Sequence, residues 1–207
     1  MLRTGIFGGT FNPIHLGHTA LATSVCEQGL VDEVWLMVSP QNPFKQNLEL
    51  LDEDMRLAMT RLAVAPYPML QACDFEFNLP RPSYTYHTLQ ALRAAYPDRE
   101  FSLIIGEDNW DSFHRWYRSD DILRETPIIV YPRGGESQVV NCDSASSLAS
   151  SELRVDSHSE PIVLGPDYPL LPYSSTEIRA LIALGGNANH MLHPDVATYI
   201  SDHNLYR

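Results

Sequence analysis

At 207 residues the chain can bury one sizeable core and is short for two independent domains, so a single domain over 1–207 is expected. A hydrophobic fraction of 44% with 19% charged residues excludes a disordered or fibrous class. The net charge of -12 argues against a nucleic-acid platform, which needs a basic face, but allows a local positive pocket for a small phosphorylated ligand.

Leu2 to Phe7 predicts a short buried strand, and a glycine pair follows it at Gly8 and Gly9. TALATSVCEQ then carries helical apolar spacing that stops at Gly29, and EVWLMVS predicts a second strand. Asp52 predicts the cap of a helix through Ala63, MLQAC a strand, Thr85 to Ala95 a helix stopped by Pro97, and FSLIIG a strand ending in glycine. TPIIVYP adds another strand. Gly134 to Glu160 is rich in serine and poor in apolar residues, which predicts a flexible, solvated excursion without catalytic duty. Order returns at PIVLG, after which PYSSTEIRALIALGG predicts a serine-capped, glycine-stopped helix and HPDVATYISDH a last one. Strands alternating with helices predict an α/β fold with a mostly parallel sheet. Ligands bind such sheets at the carboxyl ends of the strands, where GGTFNP, SPQNPFK and GEDNW fall.

Cys26, Cys73 and Cys142 form no C-x-x-C pair, so neither a disulfide framework nor a cysteine zinc site is expected, and a reducing cytoplasm fits. No apolar run reaches the roughly 20 residues of a membrane span, and the start lacks a signal-peptide pattern. A soluble, unprocessed protein is expected.

The glycine pair allows positive φ and lets backbone N–H groups approach a ligand, as a phosphate cradle requires. It fits neither G-x-G-x-x-G nor the P-loop pattern. His15 and His18 stand three apart at a helix entrance, so both imidazoles can serve one phosphate group. Alone, the pair fits a capping or packing role equally well, and zinc would need a third ligand that stands at no recognisable spacing. Farther on, Ser174 and Glu177 match a capping box. Capping leaves Arg179 unexplained: four residues after Ser175, it can join an anion held by the helix N-terminus. His87, His114, His158, His190, His193 and His203 match no chemical motif and are expected on the surface or in packing.

Together, GGTFNPIHLGH and YSSTEIR resemble the nucleotidyltransferase superfamily, marked by H-x-G-H and I-S-S-T-x-I-R signatures. DEVWLMVSPQNPFK, the SYT before HTLQALR, IIGEDNW, the Trp116-Tyr117 pair and VATYISDHNLY narrow the resemblance to bacterial nicotinate-nucleotide adenylyltransferases, over nearly the whole chain outside the serine-rich segment. The resemblance implies a Rossmann-like, doubly wound sheet flanked by helices, and transfer of AMP from ATP to nicotinate mononucleotide in NAD biosynthesis. It implies that His15, His18 and Arg179 hold the ATP phosphates as the catalytic set. Gly8, Gly9, Thr10 and Phe11 would line the ATP site with the helix start at Ser174, Ser175 and Thr176. Gly106 would admit adenine and Asp108 take the ribose, while Thr85, Trp116 and Tyr117 hold the pyridine ring and its carboxylate and Lys45 attracts the mononucleotide phosphate. Mg²⁺ is expected to arrive bound mainly to the ATP phosphates, with no metal site of the protein's own. Phosphopantetheine adenylyltransferases and cytidylyltransferases share the first motif but lack the SYT and the WY pair. A sensor that holds ATP without turnover would not need His15, His18 and Arg179 together. Asn12, Phe44 and Tyr173 depart from the family pattern, which has aspartate, histidine and isoleucine in many relatives.

Overall fold

Strand side chains point alternately to opposite faces of a sheet, and here both sets are apolar, so the sheet is covered on both sides. The computed structural model describes residues 1–40, 50–132, 160–165, 168 and 171–207. Its strands are β1 (Leu2–Gly9), β2 (Glu33–Val38), β3 (Leu70–Cys73), β4 (Arg99–Gly106), β5 (Ile128–Tyr131) and β6 (Ile162–Val163). Its helices are α1 (Leu16–Glu27), α2 (Glu53–Val64), α3 (Thr85–Ala95), α4 (Glu107–Asp111), α5 (Ser119–Glu125), α6 (Ser175–Ala183) and α7 (Pro194–Asp202). Every strand pairing is parallel, and the order is β3-β2-β1-β4-β5-β6. That is the doubly wound Rossmann-like order.

On one face Phe7, Leu36, Val38, Ile104 and Ile129 pack with α1, α2, α6 and α7 through Val25, Met59, Ile178 and Ile200. On the other, Ile6, Trp35, Met37, Leu103, Ile105 and Val130 pack with Leu89 and Leu92 of α3 and Ile122 of α5. The strand order reverses between β1 and β4, which opens a crevice at their carboxyl ends.

The expected boundaries recur closely. Asp52 caps α2 by accepting from the Asp54 N–H at 2.9 Å, and the Ser174 hydroxyl caps α6 by accepting from the Glu177 N–H at 3.1 Å. Gly29 and Gly185 end α1 and α6 at φ 71° and 74°. The strand expected to end at Phe7 runs on to Gly9, so Gly8 and Gly9, which allow positive φ, remain in β1, where Gly8 registers with Met37 and Gly9 with Val38. The left-handed turn falls two residues later, on Phe11 at φ 44°. The serine-rich segment, apart from Glu160, lies outside the described residues.

Candidate active site

At the crevice a cavity of about 1100 Å³ runs from the β1–α1 loop and the start of α6 to the start of α3 and the Trp116-Tyr117 segment. Gly8, Gly9, Thr10, Phe11, His15 and His18 line one end, together with Ser174, Ser175, Thr176 and Arg179. A Cβ at Gly8 would meet nothing within 4 Å, whereas one at Gly9 would strike the Phe11 ring at 2.9 Å. Gly8 therefore leaves room for a ligand, and Gly9 makes room for Phe11.

His15 and His18 stack with ring centroids 3.7 Å apart. The His15 backbone N–H donates to His18 Nδ1 at 3.2 Å, which places the neutral His18 proton on Nε2, as a donor to a phosphate oxygen needs. The Phe11 ring meets His18 edge-on at 5.0 Å and fixes its plane. In α6 the first ladder bond runs from the Ile178 N–H to the Ser174 carbonyl, so the Ser175 and Thr176 N–H groups precede the ladder. Arg179 Nη1 donates to the Asn12 carbonyl at 2.8 Å and the Ser175 hydroxyl to the Pro13 carbonyl at 2.8 Å. Two segments more than 160 residues apart thus form one wall of donors.

Sequence reasoning missed the residues that brace this wall. Arg56 belongs to no motif in the sequence, and it is 1% exposed. Its guanidinium donates to the carbonyls of Thr10, Ser39, Pro40 and Leu51, tying the loops after β1 and β2 together. Asn12 is equally buried, and its Oδ1 accepts from the Tyr206 hydroxyl at 2.8 Å. The departure from aspartate therefore gives Tyr206 a neutral acceptor. Tyr206→Phe removes this buried hydrogen bond and is expected to lower stability by about 1–2 kcal/mol. An unchanged urea midpoint would refute this.

At the other end Thr85, Trp116 and Tyr117 line the cavity together. Thr85 opens α3, whose ladder begins with the Thr88 N–H on the Tyr84 carbonyl, so the Thr85 N–H precedes it. Trp116 is half-buried, in extended backbone after a 3-10 turn, with its ring 5.3 Å from Phe113. Gly106 and Asn109 line the cavity, but Asp108 between them is exposed on α4 and outside the wall, so the structure does not bring it into the site as the sequence reading expects. Lys45 and Phe44 lie outside the described residues.

Glu76, also missed, lines the same end at 7% exposure. Its Oε1 accepts from the Thr88 hydroxyl at 2.8 Å, while Oε2 is buried without a hydrogen-bond partner. Burial pushes this carboxyl above the usual carboxylate range, against the pull of the Thr88 and Ser39 hydroxyls. As pH rises past the unfolded value of about 4.3, the unfolded chain loses its proton while folded Glu76 retains one, so stability falls until the folded group has ionised too. Glu76→Gln removes that ionisation. It is expected to melt about 2–4 °C higher than wild type at pH 8, for a gain of about 1 kcal/mol, with the gap narrowing at pH 5. A gap that widens on acidification would contradict the assignment.

Residues 6–181 match the cytidylyltransferase-like family. A Bacteroides fragilis protein named "Probable nicotinate-nucleotide adenylyltransferase" is 47% identical over 94% of this chain and 89% of its own length. A protein of the same name from Bacteroides thetaiotaomicron is 45% identical over 98% of this chain and 92% of its own. The solved Plasmodium falciparum nicotinic acid mononucleotide adenylyltransferase complexed with NaAD shares the fold, with TM-score 0.74 at 18% identity over 100% of this chain and 98% of that one. Among the described residues no helix is long and apolar enough to cross a membrane.

Proposed function

This chain belongs to the cytidylyltransferase-like family, among its nicotinate-nucleotide adenylyltransferases, and from that membership we propose that it joins ATP and nicotinate mononucleotide into nicotinate adenine dinucleotide and pyrophosphate. One observation supports the assignment of parts: a cavity at the strand reversal has a wall of phosphate donors at one end and an aromatic wall beside a helix N-terminus at the other.

A phosphate oxygen of the mononucleotide attacks the α-phosphorus of ATP. The new P–O bond forms as the bond to the departing pyrophosphate breaks. The acceptor phosphate is already largely ionised near neutral pH, so the step needs neither an enzyme nucleophile nor a general base. The protein's work is alignment and charge stabilisation. His15, His18 through Nε2–H, the Arg179 guanidinium and the Ser175 and Thr176 N–H groups are proposed to meet the phosphate oxygens, with the two imidazoles stacked on one another. Gly8, Gly9, Thr10 and Phe11 would shape the triphosphate bed, and Ser174 would keep the α6 turn in place. Gly106 would admit adenine, while Asp108 would reach the ribose only from the rim. Thr85, Trp116 and Tyr117 would hold the pyridine ring, and Lys45 would attract the acceptor phosphate.

The phosphate wall consists of N–H donors, which suit oxygen anions rather than a bare cation. Mg²⁺ would therefore be held mainly by phosphate oxygens and water, and it would supply charge neutralisation when bound. ATP offered with nicotinate mononucleotide, nicotinamide mononucleotide, phosphopantetheine and no acceptor, with product masses measured, tests the proposal. Deamido-NAD with stoichiometric pyrophosphate is expected. A product on phosphopantetheine alone, or no transfer at all, would overturn it.

A further inference from the structure

Of the aromatic cluster outside the phosphate wall, Tyr117 alone has a part in the chemistry above. Tyr84, Tyr86 and His87 stand at the start of α3, and Tyr117 and Arg118 follow Trp116 on a separate segment. The Tyr117 ring lies 5.1 Å from Tyr84, 5.3 Å from His87 and 6.2 Å from Tyr86. The Arg118 guanidinium sits 4.8 Å over the Tyr86 ring. Arg118 is left-handed at φ 55°, an unfavourable backbone for a residue with a Cβ, and its side chain also pairs with Asp121. The segment is thus held in a turn that its own sequence does not favour, with ring contacts to α3 on one side and an ion pair to α5 on the other.

Tyr84 and Tyr117 line the cavity, whereas half-buried Tyr86 and exposed His87 are not among its lining residues. His87 touches the ring of the cavity-lining Tyr117 and so bears on the site through that contact. The two segments it joins are those that carry the Thr85 and Tyr117 N–H groups.

We propose that this cluster is a strap that fixes the spacing of the Thr85 and Tyr117 N–H groups for the carboxylate of the acceptor nucleotide, with His87 as a positioning residue. The inference rests on the reaction proposed above, with the pyridine ring at Trp116. A carboxylate received by two donors needs both at the correct separation, whereas a carboxamide gains less from the pair, so loosening the strap should erode preference for the acid rather than activity in general.

Steady-state kinetics of the full chain with ATP and either nicotinate or nicotinamide mononucleotide test this, alongside melting curves. For His87→Ala the KM for nicotinate mononucleotide is expected to rise about five- to tenfold, the loss of one or two ring contacts, with kcat and the KM for ATP within about twofold of wild type. The acid-over-amide ratio of kcat/KM should fall in parallel. His87→Phe keeps a ring against Tyr117 and should restore the wild-type KM. Arg118→Gly suits the left-handed backbone while removing the contact to Tyr86, and should raise the same KM even if His87→Ala does not fold. An unchanged KM in folded His87→Ala or in Arg118→Gly, equal losses for ATP and acceptor, or failure of His87→Phe to rescue would each overturn the strap. A wild-type protein that does not use nicotinate mononucleotide would instead overturn the reaction assignment.

Discussion

Replacing Arg179 by alanine is expected to lower kcat about 30- to 1,000-fold, a loss of about 2–4 kcal/mol of transition-state stabilisation, while the fold survives. The expectation rests on where the guanidinium is anchored. Nη1 donates to the Asn12 carbonyl at 2.8 Å and Arg179 lines the cavity that His18 also lines, so the fork is held before any ligand arrives. Negative charge grows on the bridging and pyrophosphate oxygens as the bond to the α-phosphorus breaks, and a donor already in place stabilises that charge without reorganising. Folding loses the bond to Asn12 and a longer, exposed one to the Thr176 hydroxyl at 3.4 Å, together about 1 kcal/mol, so the melting temperature should fall by about 2–4 °C. Arg179→Lys keeps the charge but not the planar fork, and should recover part of the rate. His18→Ala should behave like Arg179→Ala. Pyrophosphate release by folded Arg179→Ala within about threefold of wild type would remove Arg179 from the catalytic set.

Regular periodicity made most of the sheet and the longer helices legible. Leu2 to Phe7, EVWLMVS and Thr85 to Ala95 carry enough repeats for apolar spacing to speak, and Asp52, Ser174, Gly29 and Gly185 mark ends by local chemistry that needs no partner elsewhere. Between Glu107 and Glu125 the chain forms α4, a 3-10 turn and α5, each too short for a period to emerge, with the left-handed Arg118 between them. The glycine pair misled for a related reason. Glycine permits a left-handed turn but does not require one, and pairing of Gly8 with Met37 and Gly9 with Val38 keeps both extended while Phe11 takes the turn.

Within the site, the groups meant to touch phosphate were legible because a motif packs them into a few consecutive residues. Their supports were not. Arg56 acts on carbonyls in two loops, Asn12 takes a bond from Tyr206 at the far end of the chain, and Glu76 meets Thr88 of a later helix and Ser39 after an earlier strand. None of these partners stands at a fixed sequence offset, so only the fold reveals them. Asp108 shows the converse, because position at a strand's carboxyl end places a residue near the crevice without deciding which neighbour faces it: Asn109 lines the cavity and Asp108 is exposed.

Preference for nicotinate over nicotinamide mononucleotide is expected to reach about 10- to 1,000-fold in kcat/KM, and its source is the end of the cavity built by Thr85, Trp116 and Tyr117. The Thr85 N–H precedes the first ladder bond of α3, at the end of the helix where the dipole favours an anion. With the pyridine ring against Trp116, the 3-substituent would sit between that N–H and the backbone of Tyr117. A carboxylate accepts from both donors. A carboxamide turns its NH₂ toward one of them, leaving a buried donor unsatisfied at about 1–3 kcal/mol, and forgoes the charge–dipole attraction of about 0.3–1 kcal/mol. The two effects sum to about 1.3–4 kcal/mol, which gives the stated range. Trp116→Ala should weaken both pyridine substrates alike and spare the KM for ATP, because stacking does not depend on the substituent. Measured side by side at one ATP concentration, equal kcat/KM values for acid and amide, or a higher value for the amide, would overturn the donor-pair argument even in an active adenylyltransferase.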